Sequence, residues 1–131
     1  MKWLSETVAR AINTTLVQAH GGTAAAVRDG NLLGSALARP RNLAAYTDDP
    51  SAFDLAASLG YGLVHNHPFV EGNKRTAGTA MLTFLRLNGW EATAPEPELV
   101  VVMVDFAKGD LSEEEVARWL ATNTRRLPVA V

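Results

Sequence analysis

The chain has 131 residues, a formal net charge of −2 at neutral pH and no cysteine. This length suits a single domain, residues 1–131, with one hydrophobic core. Without cysteine, disulfides, thiol catalysis and zinc–thiolate sites are excluded. Because the net charge is slightly negative, we expect no direct binding to nucleic acid, which would favour a basic protein.

Neither the apolar runs nor the N-terminus indicates contact with a membrane. The longest strongly apolar run, Leu99 to Val104, has six residues and is too short to cross a bilayer. The first residues, Met1 to Glu6, lack the apolar centre of a secretion signal. We therefore expect a soluble, cytoplasmic protein.

The first predicted element is a helix from Ser5 to His20. Ser5 is a suitable N-cap, and Gly21 and Gly22 would end the helix. Apolar positions that recur every three or four residues predict its buried face. These positions are Val8, Ile12, Thr15, Leu16 and Ala19.

The next segment, Thr23 to Asp49, has a broken hydrophobic pattern. It predicts only a short helix around Leu32 to Ala38, which Pro40 would terminate because proline restricts the residue before it and cannot donate a backbone hydrogen bond. We expect this segment to be a mobile loop that faces the substrate.

Two long helices are predicted in the middle of the chain. Asp49 as N-cap and Pro50 at the first helical position predict a helix that runs to about Val64. A second helix should begin near Gly72 or Asn73 and end at Asn88-Gly89. The predicted buried faces are Phe53, Ala56, Ala57, Gly60, Leu63 and Val64 in the first helix and Ala77, Ala80, Met81, Phe84, Leu85 and Leu87 in the second.

The C-terminal third predicts a short strand and two more helices. The strand is Trp90 to Thr93, and a helix from Glu98 to Lys108 is closed by Gly109. Ser112 to Glu115 forms a capping box before a last helix with Val116, Trp119 and Leu120 on its apolar face, and Leu127 to Val131 should fray. The predicted fold is an all-α bundle of about six helices with room for a short two-stranded or irregular flap.

The loop between the two central helices has the residues needed to handle phosphate. A helix N-terminus attracts anions through its free N–H groups and its dipole, and Gly72 allows the backbone to approach a ligand closely. Asn73, Lys74 and Arg75 would lie in the first helical turn. Because cations are disfavoured at that end of a helix, the two basic residues predict that an anion joins them.

Three other residues around this loop have more than one interpretation. His67 could act as a general base, or it could simply interact with the helix C-terminus. Glu71 could bind Mg²⁺, or it could pair with Arg75 across one helical turn, which would stabilise the helix by only about 0.2–0.5 kcal/mol. His65 is better explained as structural than as a metal ligand, because no further ligands follow at suitable spacing.

The string HPFVEGNKR, residues 67–75, resembles the signature of the Fic/Doc family. Its Asn-Lys-Arg ending is similar to the death-on-curing (Doc) toxin branch, since the adenylyl-transferring Fic branch has glycine where this chain has Lys74. The similarity extends over nearly the whole chain. The segments that carry it are His20 to Gly22, Val27 to Asp29, Leu33 to Pro40 and Phe84 to Trp90.

The resemblance implies an ATP-dependent protein kinase that acts as the toxin of a toxin–antitoxin pair. It implies transfer of the γ-phosphate to a threonine of elongation factor Tu, which blocks translation. In this chain His67 would be the catalytic base, Glu71 the Mg²⁺ ligand, and Gly72, Asn73, Lys74 and Arg75 the ATP-binding residues. Its inhibitor would be a Phd-like antitoxin whose disordered C-terminal segment folds as a helix in a groove beside the active site.

Two alternatives remain open at this stage. Glu71 next to Gly72 is more typical of Fic adenylyl transferases, because the common Doc pattern has aspartate at that position. The chain could therefore attach AMP to its target instead of phosphate. A non-catalytic module that only binds a partner is the second alternative.

Overall fold

Six α-helices and two short strands make up residues 1–128, the part of the chain that this computed structural model describes. The elements are α1 Glu6–Ala19, α2 Gly30–Tyr46, α3 Ala52–Asn66, α4 Asn73–Leu87, β1 Trp90–Ala92, α5 Glu96–Lys108, α6 Glu113–Thr122 and β2 Thr124–Arg126. The predicted all-α class is confirmed. Of the tail predicted to fray, Leu127 donates its backbone N–H to the Gly89 carbonyl at 2.8 Å, and residues 129–131 lie outside the described part.

Helix α3 lies at the centre of the bundle and is buried on nearly every side. It packs against α2, α4 and α6, and small residues permit the close approach. A Cβ atom at Gly62 would lie 2.9 Å from the Ala36 Cα of α2, and one at Gly60 would overlap Met81 of α4. The predicted face of α3 is therefore buried apart from Phe53, which is half-buried, and residues around the rest of the helix are buried as well.

The buried face of α1 differs from the predicted one. Ala9, Asn13 and Val17 are buried, whereas Val8, Thr15 and Ala19 are exposed and Ile12 and Leu16 are half-buried. The reason is that the small Ala9 lets α1 approach the core, and Asn13 finds hydrogen-bond partners there.

Helix α2 replaces most of the loop predicted between Thr23 and Asp49. It has 17 residues and contains Pro40, which is buried within it. The proline removes one backbone donor, but packing of α2 on α3 outweighs that loss. Next to it, Arg39 donates to the Ser58 carbonyl of α3 at 3.0 Å and to Glu113 of α6 at 2.9 Å. The prediction that Pro40 terminates the helix is wrong.

Three smaller predictions also need correction. Helix α3 begins after Ser51, because Ser51 and Asp54 form a capping box, while Asp49 has a left-handed backbone with φ of 45°. Helix α5 begins at Glu96, since Pro97 occupies the first turn, where its missing donor is not needed. On α4, Leu87 is 42% exposed and does not belong to the core.

The predicted short strand forms, and it has a partner. β1 pairs antiparallel with β2 in a two-stranded sheet, with Trp90 opposite Arg126 and Ala92 opposite Thr124. The Arg126 guanidinium lies over the Trp90 ring at 4.7 Å.

No helix among residues 1–128 is both long enough and apolar enough to pass through a bilayer.

Candidate active site

His67 lies at the C-terminal end of α3 with its side chain exposed. Its backbone is left-handed, with φ of 48° and ψ of 55°, which ends the helix and turns the chain toward the motif loop. A histidine in this region is uncommon and requires support from its surroundings. The result is an imidazole presented to solvent from a turn at the end of the most buried helix.

The motif loop pairs with the segment that precedes α2. Val27 and Phe69 form an antiparallel bridge, and Val70 donates to the Ala26 carbonyl at 2.9 Å. The backbone N–H of Arg28 donates to the Pro68 carbonyl at 2.7 Å. Residues 22–29, which we call the flap segment, therefore lie directly against the motif.

The carboxylate of Glu71 holds the other part of the flap segment. Its Oε1 accepts the backbone N–H groups of Thr23 at 2.8 Å and Ala24 at 2.6 Å. Among residues 1–128 no donor reaches its Oε2 and no ion pair with Arg75 forms, so the predicted alternative of a Glu71–Arg75 pair is wrong in this structure. Glu71 thus has one oxygen fixed by backbone and the other available.

The turn after Glu71 is built around Gly72 and braced by α1. Gly72 is the N-cap of α4 with φ of 76°, and a Cβ there would lie 3.1 Å from Val17 Cγ2. Asn13 donates to the Glu71 carbonyl at 2.9 Å and to Thr76 Oγ1 at 3.1 Å. This buried polar group of α1 fixes the position where the motif becomes a helix.

Asn73 closes the motif loop on itself. Its side-chain oxygen accepts the Phe69 N–H, and its amide nitrogen donates to the Phe69 carbonyl, both at 3.0 Å. Asn73 as a whole residue is 9% exposed, and Phe69 is buried in the core. Asn73 could therefore contact a ligand mainly through its backbone N–H.

Lys74 and Arg75 occupy the first turn of α4 and are exposed. No side chain caps this helix, and its first internal hydrogen bond is from Thr76 N–H to the Gly72 carbonyl at 2.9 Å. The N–H groups before Thr76 and both cations have no partner within the described 128 residues. Such an end of a helix suits an anion.

A pocket of about 560 Å³ lies beside these two cations, between α4 and α5. Its walls are mainly apolar, with one side chain from α1 and one from α6. The lining residues include Lys74, Arg75, Leu16, Gly78, Leu82, Leu99, Met103 and Trp119. The structure thus joins the basic start of α4 to an apolar groove.

The side chain of His65 contacts Tyr61 of its own helix. Its Nδ1 atom lies 3.0 Å from the Tyr61 carbonyl, and its ring stacks on Tyr61 with centroids 4.0 Å apart. Within the described residues, no three His, Cys, Asp or Glu side chains are grouped so that they could hold a metal ion. This position supports the structural interpretation of His65.

Two residues that support the loop are absent from the sequence predictions. Asn13 could have been noticed because it is four residues from both Ala9 and Val17, which places an amide on the buried face of α1. Arg28 lies in the segment Val27 to Asp29 that carries part of the family resemblance, but no pattern marks its side chain as a contact of the motif. Its contact with the motif depends on the fold of the flap segment.

Comparison with known proteins agrees with this geometry. The model of the Fic/DOC family matches residues 3–85, which include the whole motif, α1 to α3 and most of α4. The chain belongs to the Fic/DOC family. Among curated proteins, it is 46% identical to "Toxin Doc" of Mycolicibacterium smegmatis over 69 residues, which is 52% of this chain and 53% of that protein.

A second relative is "Protein kinase doc" of Escherichia phage P1. The identity is 36% over 73 residues, or 56% of this chain and 57% of the phage protein. The chain thus spans somewhat more than half the length of the curated relatives that it matches. This supports the assignment to the Doc branch that the Asn-Lys-Arg ending of the motif predicts.

Proposed function

We propose that this chain is the toxin of a toxin–antitoxin pair and acts as an ATP-dependent protein kinase. The observation that carries the proposal is the start of α4. Within residues 1–128 its first N–H groups and its two cations have no partner, and the loop before it presents His67 and Glu71. The names of the two relatives, a toxin and a protein kinase, add support.

The proposed reaction uses positioning and electrostatics more than covalent chemistry. A target hydroxyl attacks the γ-phosphorus, the new O–P bond forms, and the bond to the bridging oxygen breaks as ADP leaves. His67 accepts the hydroxyl proton. Lys74, Arg75 and the N–H groups of the first turn of α4 bind the negatively charged phosphate oxygens.

The single carboxylate of the motif fits a magnesium ion that arrives with the nucleotide. Mg²⁺ usually takes one or two carboxylates and completes its shell with phosphate oxygens and water. Oε2 of Glu71 would be the protein ligand, since Oε1 is held by Thr23 and Ala24. When bound, the ion supplies charge neutralisation on the phosphates.

The proposal also includes a target protein and an inhibitor. Resemblance to Doc favours a threonine of elongation factor Tu as the acceptor, with blocked translation in the cytoplasm as the result. A Phd-like antitoxin would insert a helical segment into the pocket between α4 and α5. Apolar walls at Leu99, Met103 and Trp119 suit the apolar face of such a helix, as in other helix-in-groove complexes.

Labelled ATP separates the kinase from the adenylyl transferase. The purified chain is incubated with Mg²⁺, elongation factor Tu and ATP labelled at either the α- or the γ-phosphate. The proposal predicts that only the γ-label becomes attached to the target. Attachment of the α-label alone would contradict it and would favour AMP transfer, the candidate that Glu71 next to Gly72 supports.

The third candidate, a module that only binds a partner, needs a different experiment. His67→Ala removes the proposed base from an exposed position and should leave the fold intact. If the chain is an enzyme, expression of this variant no longer arrests growth. Arrest of growth by the variant at the wild-type level would favour binding alone.

A further inference from the structure

Arg28 of the flap segment holds the end of α3 through the backbone. Its Nε donates to the His67 carbonyl at 2.7 Å, and a terminal nitrogen donates to the Asn66 carbonyl at 3.0 Å. Its own backbone N–H donates to the Pro68 carbonyl. One residue therefore binds three consecutive carbonyls, those of Asn66, His67 and Pro68.

Two of these carbonyls, those of Asn66 and the C-cap His67, are ones that the end of α3 leaves without partners in the helix. The last four C=O groups of a helix have no N–H donor within the helix, and cations are favoured there by the helix dipole. A guanidinium has several donors in a fixed plane, so it can bind two adjacent carbonyls at once. Arg28 thus satisfies the C-terminus of α3 at the turn that presents the imidazole.

The left-handed backbone of His67 makes the support from Arg28 important for the direction of the imidazole. A non-glycine residue with φ of 48° is held in a sparsely populated region and persists only where the surroundings fix it. Asn66 is held separately by its bond to the Leu32 carbonyl at 3.0 Å, and Pro68 also accepts the Asp29 N–H at 3.2 Å. The backbone of His67 makes one hydrogen bond within residues 1–128, and the donor of that bond is the Arg28 side chain.

We propose that Arg28 is a positioning residue, which keeps the left-handed turn at His67 in the conformation that aims the imidazole at the reacting hydroxyl. This inference rests on the proposed function, in which His67 is the base. Arg28 itself does not contact the nucleotide in this proposal. It acts through the backbone of His67, so its loss should impair the chemical step more than ATP binding.

The test compares Arg28→Ala and Arg28→Lys with the wild type. For Arg28→Ala we expect kcat for γ-phosphate transfer to elongation factor Tu to fall about 10- to 100-fold with KM for ATP unchanged, since a misplaced catalytic group has an effect of this size. Lysine retains the charge but not the fork geometry, so Arg28→Lys should recover part of the rate. Arg10→Ala, which removes an exposed arginine that pairs with Glu6 one helical turn away, is the matched control and should keep wild-type kcat.

Nuclear magnetic resonance gives a readout that does not depend on activity. In Arg28→Ala the backbone and ring signals of His67 should move, while the signals of α4 and the melting temperature stay close to the wild type, because Arg28 is exposed. An unchanged kcat together with unchanged His67 signals would overturn the inference and leave the proposed function standing. If the wild type transfers no label, the proposed function fails and the catalytic role of Arg28 fails with it, whereas the His67 signals still decide whether Arg28 holds the turn.

Discussion

The first turns of α4 and α6 are built in opposite ways. At α6, Ser112 accepts the Glu115 N–H, Glu115 accepts the Ser112 N–H, and the first turn has three glutamates. At α4, Gly72 offers no side chain, and Lys74 and Arg75 replace the acids. One helix start is satisfied by its own residues, and the other is left open and positively charged.

This difference separates structure from function. Capping and acidic residues stabilise a helix start, so a chain under no other requirement would have them at both places. At α4 the chain gives up that stabilisation, and an anion is the partner that restores it. We infer that α6 serves the fold and that the start of α4 serves a phosphate ligand.

The largest effect is expected from His67→Ala. Loss of a general base should lower the rate of γ-phosphate transfer by about 10²- to 10⁴-fold. ATP binding should change little, because the start of α4 is intact. His20→Ala is the control, since His20 is exposed and its Nδ1 lies 2.9 Å from the Leu16 carbonyl of its own helix. Equal rates for the two variants would remove His67 from the mechanism.

The next effect sharpens the contrast between the two helix starts. The double variant Lys74→Ala and Arg75→Ala should bind Mg-ATP about 10- to 100-fold more weakly. A hydrogen bond to a charged group contributes about 1.5–3 kcal/mol, and because water screens these two exposed side chains their contributions do not add in full. Calorimetric titration measures the affinity.

The matched double variant is Arg10→Ala with Lys108→Ala, which removes two exposed charges from surface ion pairs. It should bind Mg-ATP as the wild type does. A similar loss in both double variants would mean that overall charge, and not the start of α4, attracts the nucleotide.

A glycine comparison tests the backbone of the open helix start. Gly72→Ala should lower the free energy of unfolding by at least about 1–2 kcal/mol, because alanine is strained at φ of 76° and its Cβ would crowd Val17 and Asn13. Gly34→Ala in α2 meets no atom within 4 Å and should stabilise the protein by about 0.5–1 kcal/mol. Urea unfolding measures both, and effects of the same sign would contradict this account.

The smallest expected effect is on the stability of the fold, and it comes from the capped start of α6. This contribution to stability depends on pH. The hydrogen bonds from the backbone and side chain of Ser112 hold the pKa of Glu115 below its ordinary value. A carboxyl whose pKa is lower in the folded state stabilises the fold above its unfolded pKa, and the contribution disappears as the pH falls through the folded pKa.

The measurement is urea unfolding of Glu115→Gln and the wild type at about pH 7 and about pH 3. The wild type should lose more stability on acidification than the variant. Ser112→Ala should raise the pKa of Glu115 and cost about 1 kcal/mol near neutral pH. Identical pH dependence in the wild type and Glu115→Gln would contradict the role of this cap.

Sequence patterns could predict most of the helices because their ends have local chemical signals. Ser5, Ser112 and Gly109 all act where such signals place them. The position of Pro40 inside α2 could not be predicted, because it depends on the packing of α2 on α3. The same limit applies to Asp49, which loses the capping role to Ser51 two residues later.

The site was predictable as a set of residue types but not as an arrangement. The motif indicates His67, Glu71, Lys74 and Arg75, and the structure places them on the loop between α3 and α4 and the first turn of α4. It cannot indicate that Glu71 binds the flap segment, because Thr23 and Ala24 contribute backbone N–H groups that any residue has. Contacts between backbone and distant side chains leave no pattern in the sequence.

The burial of α3 has a consequence for how the protein would lose activity on heating. Backbone amides in a helix enclosed on nearly every side exchange with solvent only when the whole domain opens. Because His67 directly follows that helix, its support should survive until global unfolding. Heat inactivation and the loss of helical circular dichroism should therefore coincide, with no inactive folded species accumulating at lower temperature.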